Sequence, residues 1–218
     1  MANFFSSSEE ENFELISSWW NKYKYVAIFL LFIVISGILF FEYWTQASQD
    51  KRHELAQEYH VFIESLDDTS QENKQNIRDF IERFTDTPYA NMASLHLSKI
   101  YVENGDLIEA SKELKNIIES TSSSWGNQYD PIESTARLRL AKILLSLEKP
   151  QEALEVVKQA KVLNGAMLEV KGDAESQLNR FNEANISYLQ ALESTQSSSL
   201  KSLIRMKIAD LQTDSDDK

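Results

Sequence analysis

The apolar positions of the chain change rhythm along its length. From Tyr25 to Phe41, YVAIFLLFIVISGILFF, seventeen consecutive positions carry no charge, and Lys24 and Glu42 bracket them. Seventeen residues at about 1.5 Å of rise each is the lower limit for crossing hydrocarbon. The flanks extend the run: Trp19, Trp20, Tyr23 and Tyr25 lie on one side, Tyr43 and Trp44 on the other, as amphipathic rings do at headgroup level. The pattern predicts a transmembrane helix over 25–44. From residue 49 the apolar residues instead recur at helical intervals. Leu55, Tyr59, Phe62, Ile63 and Leu66 make one stripe; after the polar stretch Asp67 to Asn73, Ile77, Phe80, Ile81 and Phe84 make a second. Two antiparallel helices are expected there. Thr85-Asp86-Thr87-Pro88 then breaks the pattern, with Pro88 suited to the first turn of a new helix.

A self-similar pattern follows. Ala90 to Ile117 reads as an apolar helix ending in Tyr101, a turn at Asn104-Gly105-Asp106, and a helix carrying Ala110, Leu114 and Ile117. Thr135 to Lys161 repeats it, with Ala141 at a small position, Leu144 in the Tyr101 place, a turn at Glu148-Lys149-Pro150, then Ala153, Val157 and Ala160. Leu168 to Leu192 repeats it again, with Gly172 small, Glu175 in the Tyr101 place, a turn around Asn179, then Ala184, Tyr188 and Ala191. A large residue before the turn, a reversal, and a small residue where helices cross closely are the grammar of a tetratricopeptide repeat. Ala110, Ala153 and Ala184 lie 43 and then 31 positions apart, against a regular period of about 34. The array is irregular, and the excess falls in the loop Ser120 to Pro131. Leu200, Leu203, Ile204, Ile208 and Leu211 define a last amphipathic helix, with Lys201, Arg205 and Lys207 on its other faces, suited to capping the stack.

The expected fold is all-α: a single N-terminal transmembrane helix, then a tetratricopeptide-like array of helical hairpins with a C-terminal capping helix. The expected organisation is a short acidic N-terminal segment over 1–24, the span over 25–44, the repeat domain over 45–212 and an acidic tail, TDSDDK, over 213–218. A cleaved signal peptide would begin basic, carry a shorter apolar run and end at small residues. Here Glu9, Glu10, Glu11 and Glu14 precede the run, and Thr45-Gln46-Ala47 beside bulky rings is a poor cleavage site. The run therefore reads as an uncleaved signal anchor. Lys22 and Lys24 against its N-terminal end, and Lys51 and Arg52 about ten residues beyond the other, nearly balance. Their proximity favours a cytoplasmic N-terminus and a domain outside the cytoplasm.

Composition narrows the function. The formal net charge is -12, and five Gly and three Pro occur in 218 residues. An acidic surface repels polyanions, so nucleic acid and anionic lipid surfaces are excluded as partners beyond the anchor itself, where residues 25–44 meet membrane lipid. Few breakers and many good helix formers agree with helix throughout. Cysteine is absent, so disulfides, thiol nucleophiles and thiolate metal sites are excluded.

Over nearly its whole length the chain resembles the YfgM-like ancillary subunits of the bacterial SecYEG translocon. The residues that carry the resemblance are the acidic N-terminus, the span followed by Tyr43-Trp44, and the run from Pro88 through Ala110. Ala136-Arg137-Leu138-Arg139-Leu140-Ala141 and Gly172-Asp173-Ala174-Glu175 extend it. The resemblance implies a single-pass protein of the bacterial inner membrane with its repeat domain in the periplasm. It also implies association with the SecYEG translocon, with a PpiD-type periplasmic chaperone and with exported client proteins. The long loop around Trp125 departs from the compact connection expected.

No constellation for catalysis stands out. His53, His60 and His96 are the three histidines; His53-Glu54 has its next histidine seven positions on, so no His-Glu-x-x-His pair exists. No phosphate loop, Ser elbow or kinase signature occurs. The chain is read as no enzyme, with no catalytic, cofactor or metal residues and no cofactor. Binding has more support, because stacked helix pairs leave a concave groove lined by the first helix of each pair. Aligned on the second-helix alanines, Lys99 and Lys142 occupy equivalent groove positions, Leu95 and Leu138 lie one turn before them, and the third copy has Asp173 and Glu169 there. Lys99, Lys142 and Arg139 could receive a partner's carboxylate, or could be ordinary solvated cations. Trp125 and Tyr129 in the long loop could anchor a partner, or fill the gap between displaced repeats. The function expected is a membrane-anchored interaction scaffold beside the translocon that helps transfer exported proteins to periplasmic chaperones. The alternative is a scaffold of another envelope assembly, for secretion or division.

Overall fold

The computed structural model describes residues 6–65, 71–85, 87–122 and 129–216. The chain divides into two units, the residues up to Phe62 and those from Ile63 onward. The described part of the first unit lies within one long helix, α1, Ser6–Ser65, whose last three residues fall in the second. Its 20-residue stretch Lys22–Phe41 is long and apolar enough to cross a membrane, and none of it is buried in protein. Side chains such as Phe29, Phe32 and Phe40 are exposed. The stretch is not buried as a core helix would be, and a helix apolar all round needs either partners or hydrocarbon. The sequence pattern separates a span from a helix beginning near residue 49, whereas α1 runs through both without a break. No proline lies between Ser6 and Ser65 to interrupt it. The turn expected within Asp67 to Asn73 lies largely outside the described residues.

The second unit is a stack of helices: α2 Gln71–Arg83, α3 Pro88–Glu103, α4 Leu107–Ser122, α5 Pro131–Ser146, α6 Pro150–Lys158, α7 Gly165–Gln177, α8 Phe181–Ser194 and α9 Ser198–Asp216. α3 with α4, α5 with α6, and α7 with α8 are the three repeats. Their starts are set chemically. The hydroxyl of Thr87 accepts from Ala90 N–H at 3.3 Å, the Asp130 carboxylate from Ile132 N–H at 2.7 Å, and the Asn164 amide oxygen from Met167 N–H at 3.0 Å. Each satisfies a donor that a helix start leaves unpaired, and Pro88, Pro131 and Pro150 stand where a missing N–H costs nothing. α9 runs to Asp216, four residues into the segment read as an acidic tail.

The turns inside the three repeats are copies of one another. Gly105, Glu148 and Asn179 all have positive φ, 80°, 58° and 58°. The amide after each closes onto the carbonyl five residues earlier: Asp106 to Tyr101 at 2.8 Å, Lys149 to Leu144 at 2.8 Å, Arg180 to Glu175 at 2.9 Å. This is the Schellman ending of a helix. Tyr101, Leu144 and Glu175 are thus equivalent in space, as their alignment in the sequence indicates.

The close crossings are equally regular. Ala110, Ala153 and Ala184 are fully buried, and twelve residues before each stands Ser98, Ala141 or Gly172. Four residues after each alanine stands Leu114, Val157 or Tyr188. The third repeat pairs the smallest residue with the largest: a Cβ on Gly172 would lie 2.5 Å from Tyr188 Cδ1 and 3.0 Å from its Cζ. Gly172 is therefore fixed by the ring that packs over it. α2 closes the first repeat, where Arg78 donates to the Tyr101 hydroxyl and Lys74 lies 5.2 Å from the centre of the Tyr101 ring. α9 closes the third, packing Ile204 and Leu211 with Leu168, Ala184, Tyr188 and Ala191.

Candidate functional site

The first helices of the repeats, α3, α5 and α7, carry the predicted groove residues; Lys99, Arg139 and Lys142 line two adjoining cavities, whereas Leu95 and Leu138 line neither. One, of about 260 Å³, has an apolar floor of Val102, Leu114 and Ile143 and a rim of Lys99, Arg139 and Lys142. The three cations singled out from the sequence thus surround one hollow. They are exposed at its edge, whereas Leu114 and Ile143 are core residues reached from its base. Their charges are only partly engaged. Lys99 lies 3.5 Å from Glu103 on its own helix, and Arg139 Nη1 donates to the Leu95 carbonyl at 3.1 Å, tying α5 to α3. Leu95 and Leu138 are half-buried.

The second cavity, of about 510 Å³, lies between α5, α7 and α9 and has a different chemistry. Glu169 and Asp173, which stand where the earlier repeats have Leu138 and Lys142, turn their carboxylates into it. Lys207 Nζ of α9 donates to Glu169 Oε1 and, at 2.6 Å, to both oxygens of Asp173. Tyr188 Oη donates to Asp173 Oδ1 at 2.7 Å. The Lys207 ammonium is disfavoured by burial, but its hydrogen bonds to Asp173 and Glu169 outweigh that and raise its pKa. Burial, with Asp173 and the neighbouring carboxylates adding to it, pushes the Tyr188 phenol far up. Lys142 lines both cavities.

Lys207 is the site residue that sequence reasoning missed. The helical pattern puts it on a face of α9 away from the core stripe, with Lys201 and Arg205; in the structure it points inward, half-buried, between two carboxylates. Glu175 is likewise no defect of the third repeat. It is buried, accepts from Ser187 Oγ at 2.5 Å and pairs with Lys171 at 3.0 Å, so a charged network fills the Tyr101 place. A further buried pair, Arg137 Nε to Glu133 Oε1 at 2.8 Å, with Lys161 at 3.6 Å, ties α5 to the end of the second repeat.

Of the two aromatic candidates in the long loop, Trp125 lies outside the described residues. Tyr129 is 49% exposed, just before Asp130, the cap of α5. His53 and His60 are exposed on α1 and His96 is half-buried on α3. Burial, with Lys99 and Arg139 adding to it against a partial offset from Glu103, lowers the His96 pKa. Among the described residues no three His, Asp or Glu side chains come together as a metal site would need.

The pattern of the family described as a tetratricopeptide repeat-like domain matches residues 17–213, beginning ahead of the apolar stretch. An ancillary SecYEG translocon subunit of Aggregatibacter actinomycetemcomitans is 28% identical over 199 residues, spanning 87% of this chain and 91% of that relative. A Haemophilus influenzae protein of the same name is 24% identical over 189 residues, spanning 83% and 90%. Among solved structures, a Podosopora anserina kinesin light chain with nearly identical TPR-like repeats superposes with a TM-score of 0.55 at 18% identity, over 78% of this chain and 87% of that one. That likeness concerns the fold alone.

Proposed function

We propose, from the premise that the chain belongs to the tetratricopeptide repeat-like domain family, that it is a single-pass inner-membrane docking scaffold associated with the SecYEG translocon. The observation that carries the reading is the apolar hollow rimmed by Lys99, Arg139 and Lys142 between α3 and α5, the first helices of two successive repeats. A hollow of this kind buries an apolar side chain while cations meet a neighbouring carboxylate, the way repeat grooves hold extended segments. The names of the relatives support the translocon as the place where this happens.

In this reading residues 25–44 anchor the chain, 1–24 lie in the cytoplasm and 45–212 in the periplasm. The domain holds exported chains near the channel exit and passes them to a PpiD-type chaperone. The work it does is proximity: a tethered weak binder meets its partner at high effective concentration without a strong interface. Tyr129 and Trp125 offer a further aromatic contact at the long loop. The chain acts by binding rather than by catalysis.

The test is recovery of translocon subunits with the tagged full-length chain from native membranes. K99E/R139E/K142E is expected to lower recovery several-fold while leaving the amount and membrane insertion of the chain unchanged. Recovery equal to wild type contradicts the assignment of this face. Recovery of division or secretion components in place of translocon subunits points to another envelope assembly.

A further inference from the structure

The second cavity holds a group that the fold does not satisfy. Glu169 is 3% exposed, and its Oε2 has no hydrogen-bond donor among the described residues. Its other oxygen is taken by Lys207, and Asp173 is taken by Lys207 and Tyr188. Lys142 Nζ lies 4.0 Å from Oε2, beyond hydrogen-bond reach, on a side chain that is more than half exposed. A buried carboxylate oxygen left without a donor is costly, and native folds rarely retain one without use.

We propose that this cavity is a receptor for a basic side chain, best a guanidinium, on an extended segment of a partner protein, with Glu169 Oε2 as its principal acceptor. The space, about 510 Å³, is within the range of sites that enclose ligand groups. The guanidinium has five N–H donors in a rigid fork, and the lining offers further acceptors beside Oε2 in the hydroxyls of Ser146 and Ser176 and the amide oxygen of Gln177. A divalent metal ion suits the place less well. Such an ion wants six or more oxygens, and the Lys207 ammonium already stands between the two carboxylates. Lys142 links the two cavities: as the incoming cation takes Oε2, Lys142 is released to the rim of the apolar hollow. The segment preferred is therefore one with an apolar residue for the first cavity and a basic residue a few positions away for the second. The inference rests on the concave face being a docking surface and adds to it a rule for what docks.

The test uses the full-length chain in nanodiscs and two capped decapeptides, each carrying one leucine and, two residues on, either arginine or its neutral isostere citrulline. Wild type is expected to bind the arginine peptide about tenfold or more tightly than the citrulline peptide, as a charge-assisted bond requires. In E169Q, which keeps an acceptor for Lys207 and is checked by thermal melting, the preference is expected to fall to near one. Equal affinity of wild type for the two peptides overturns the inference, as does an undiminished preference in a folded E169Q. If affinity is equal but drops when the peptide leucine becomes serine, the docking face stands and the acidic receptor falls. If neither peptide binds, both fall.

Discussion

The first two repeats and the third share one backbone and differ in what they present. In all three a left-handed residue and a five-residue closing bond end the first helix, and a buried alanine follows. On their first helices, however, the first two place Leu95 one turn before Lys99 and Leu138 one turn before Lys142, and the two lysines rim an open apolar hollow. The third places Glu169 with Asp173 and binds them to a lysine from the closing helix. Positions that make the repeat are thus separable from positions that make the surface. A family resemblance transmits the former and says little about the latter.

The sharpest way to break this comparison is at the small positions. Gly172→Ala pushes a Cβ into the Tyr188 ring and is expected to cost roughly 3 kcal/mol of unfolding free energy, the upper end for overpacking. Ser98→Ala, at the same place in the first repeat, should change stability by less than about 1 kcal/mol. Denaturant melts of both, with Tyr188→Leu added to Gly172→Ala, measure the coupling, and rescue by the second change is expected. Next is the closing lysine. Lys207→Met leaves Glu169 and Asp173 facing each other and should cost about 2 kcal/mol, less than for a fully enclosed pair because the lysine is about a quarter exposed. Lys99→Met, on the open rim, should be near neutral in the same melts.

The turns give a smaller effect of either sign. Gly105→Ala should destabilise by about 1 kcal/mol, while Glu148→Gly should stabilise by a similar amount, since each alters the cost of the same left-handed conformation. Thermal scans of the two variants resolve the opposite shifts. Smallest is a pH effect at His96 on α3, whose charge is opposed by burial and by Lys99 and Arg139. The folded state lowers the His96 pKa below its usual value of 6.5, so as pH falls past that value the unfolded chain takes up a proton that the folded chain resists. Stability contributed at neutral pH is then lost in acid. His96→Gln should flatten that part of a melting-temperature profile against pH.

Much of this architecture is legible in the residues, and the reason is locality. The span is a run of adjacent residues, and the repeats show in alanines and turn residues a few positions apart, so Tyr101, Leu144 and Glu175 align correctly without coordinates. Lys99 and Lys142 follow from that register, and the structure sets Arg139 beside them on the rim of one hollow. What pattern does not carry is contact across the stack. Lys207 meets Glu169 from 38 positions away, and nothing in the period of α9 distinguishes an inward lysine from a solvated one. The size of Gly172 is visible in the sequence, but its cause, the Tyr188 ring, is a packing fact. The continuity of α1 past the span also escapes pattern, because a helix apolar all round and an amphipathic one differ in period of contact and not in backbone.

The central claim is that the concave face, and not the outer helices, meets the translocon. A photo-crosslinking residue placed at Lys99 or Lys142, and for contrast at Lys115 on α4, tests it in native membranes with the full-length chain. Adducts with translocon subunits from positions 99 and 142, at several times the yield from 115, are the result predicted. Equal yields from all three positions, or adducts from 115 alone, would contradict it.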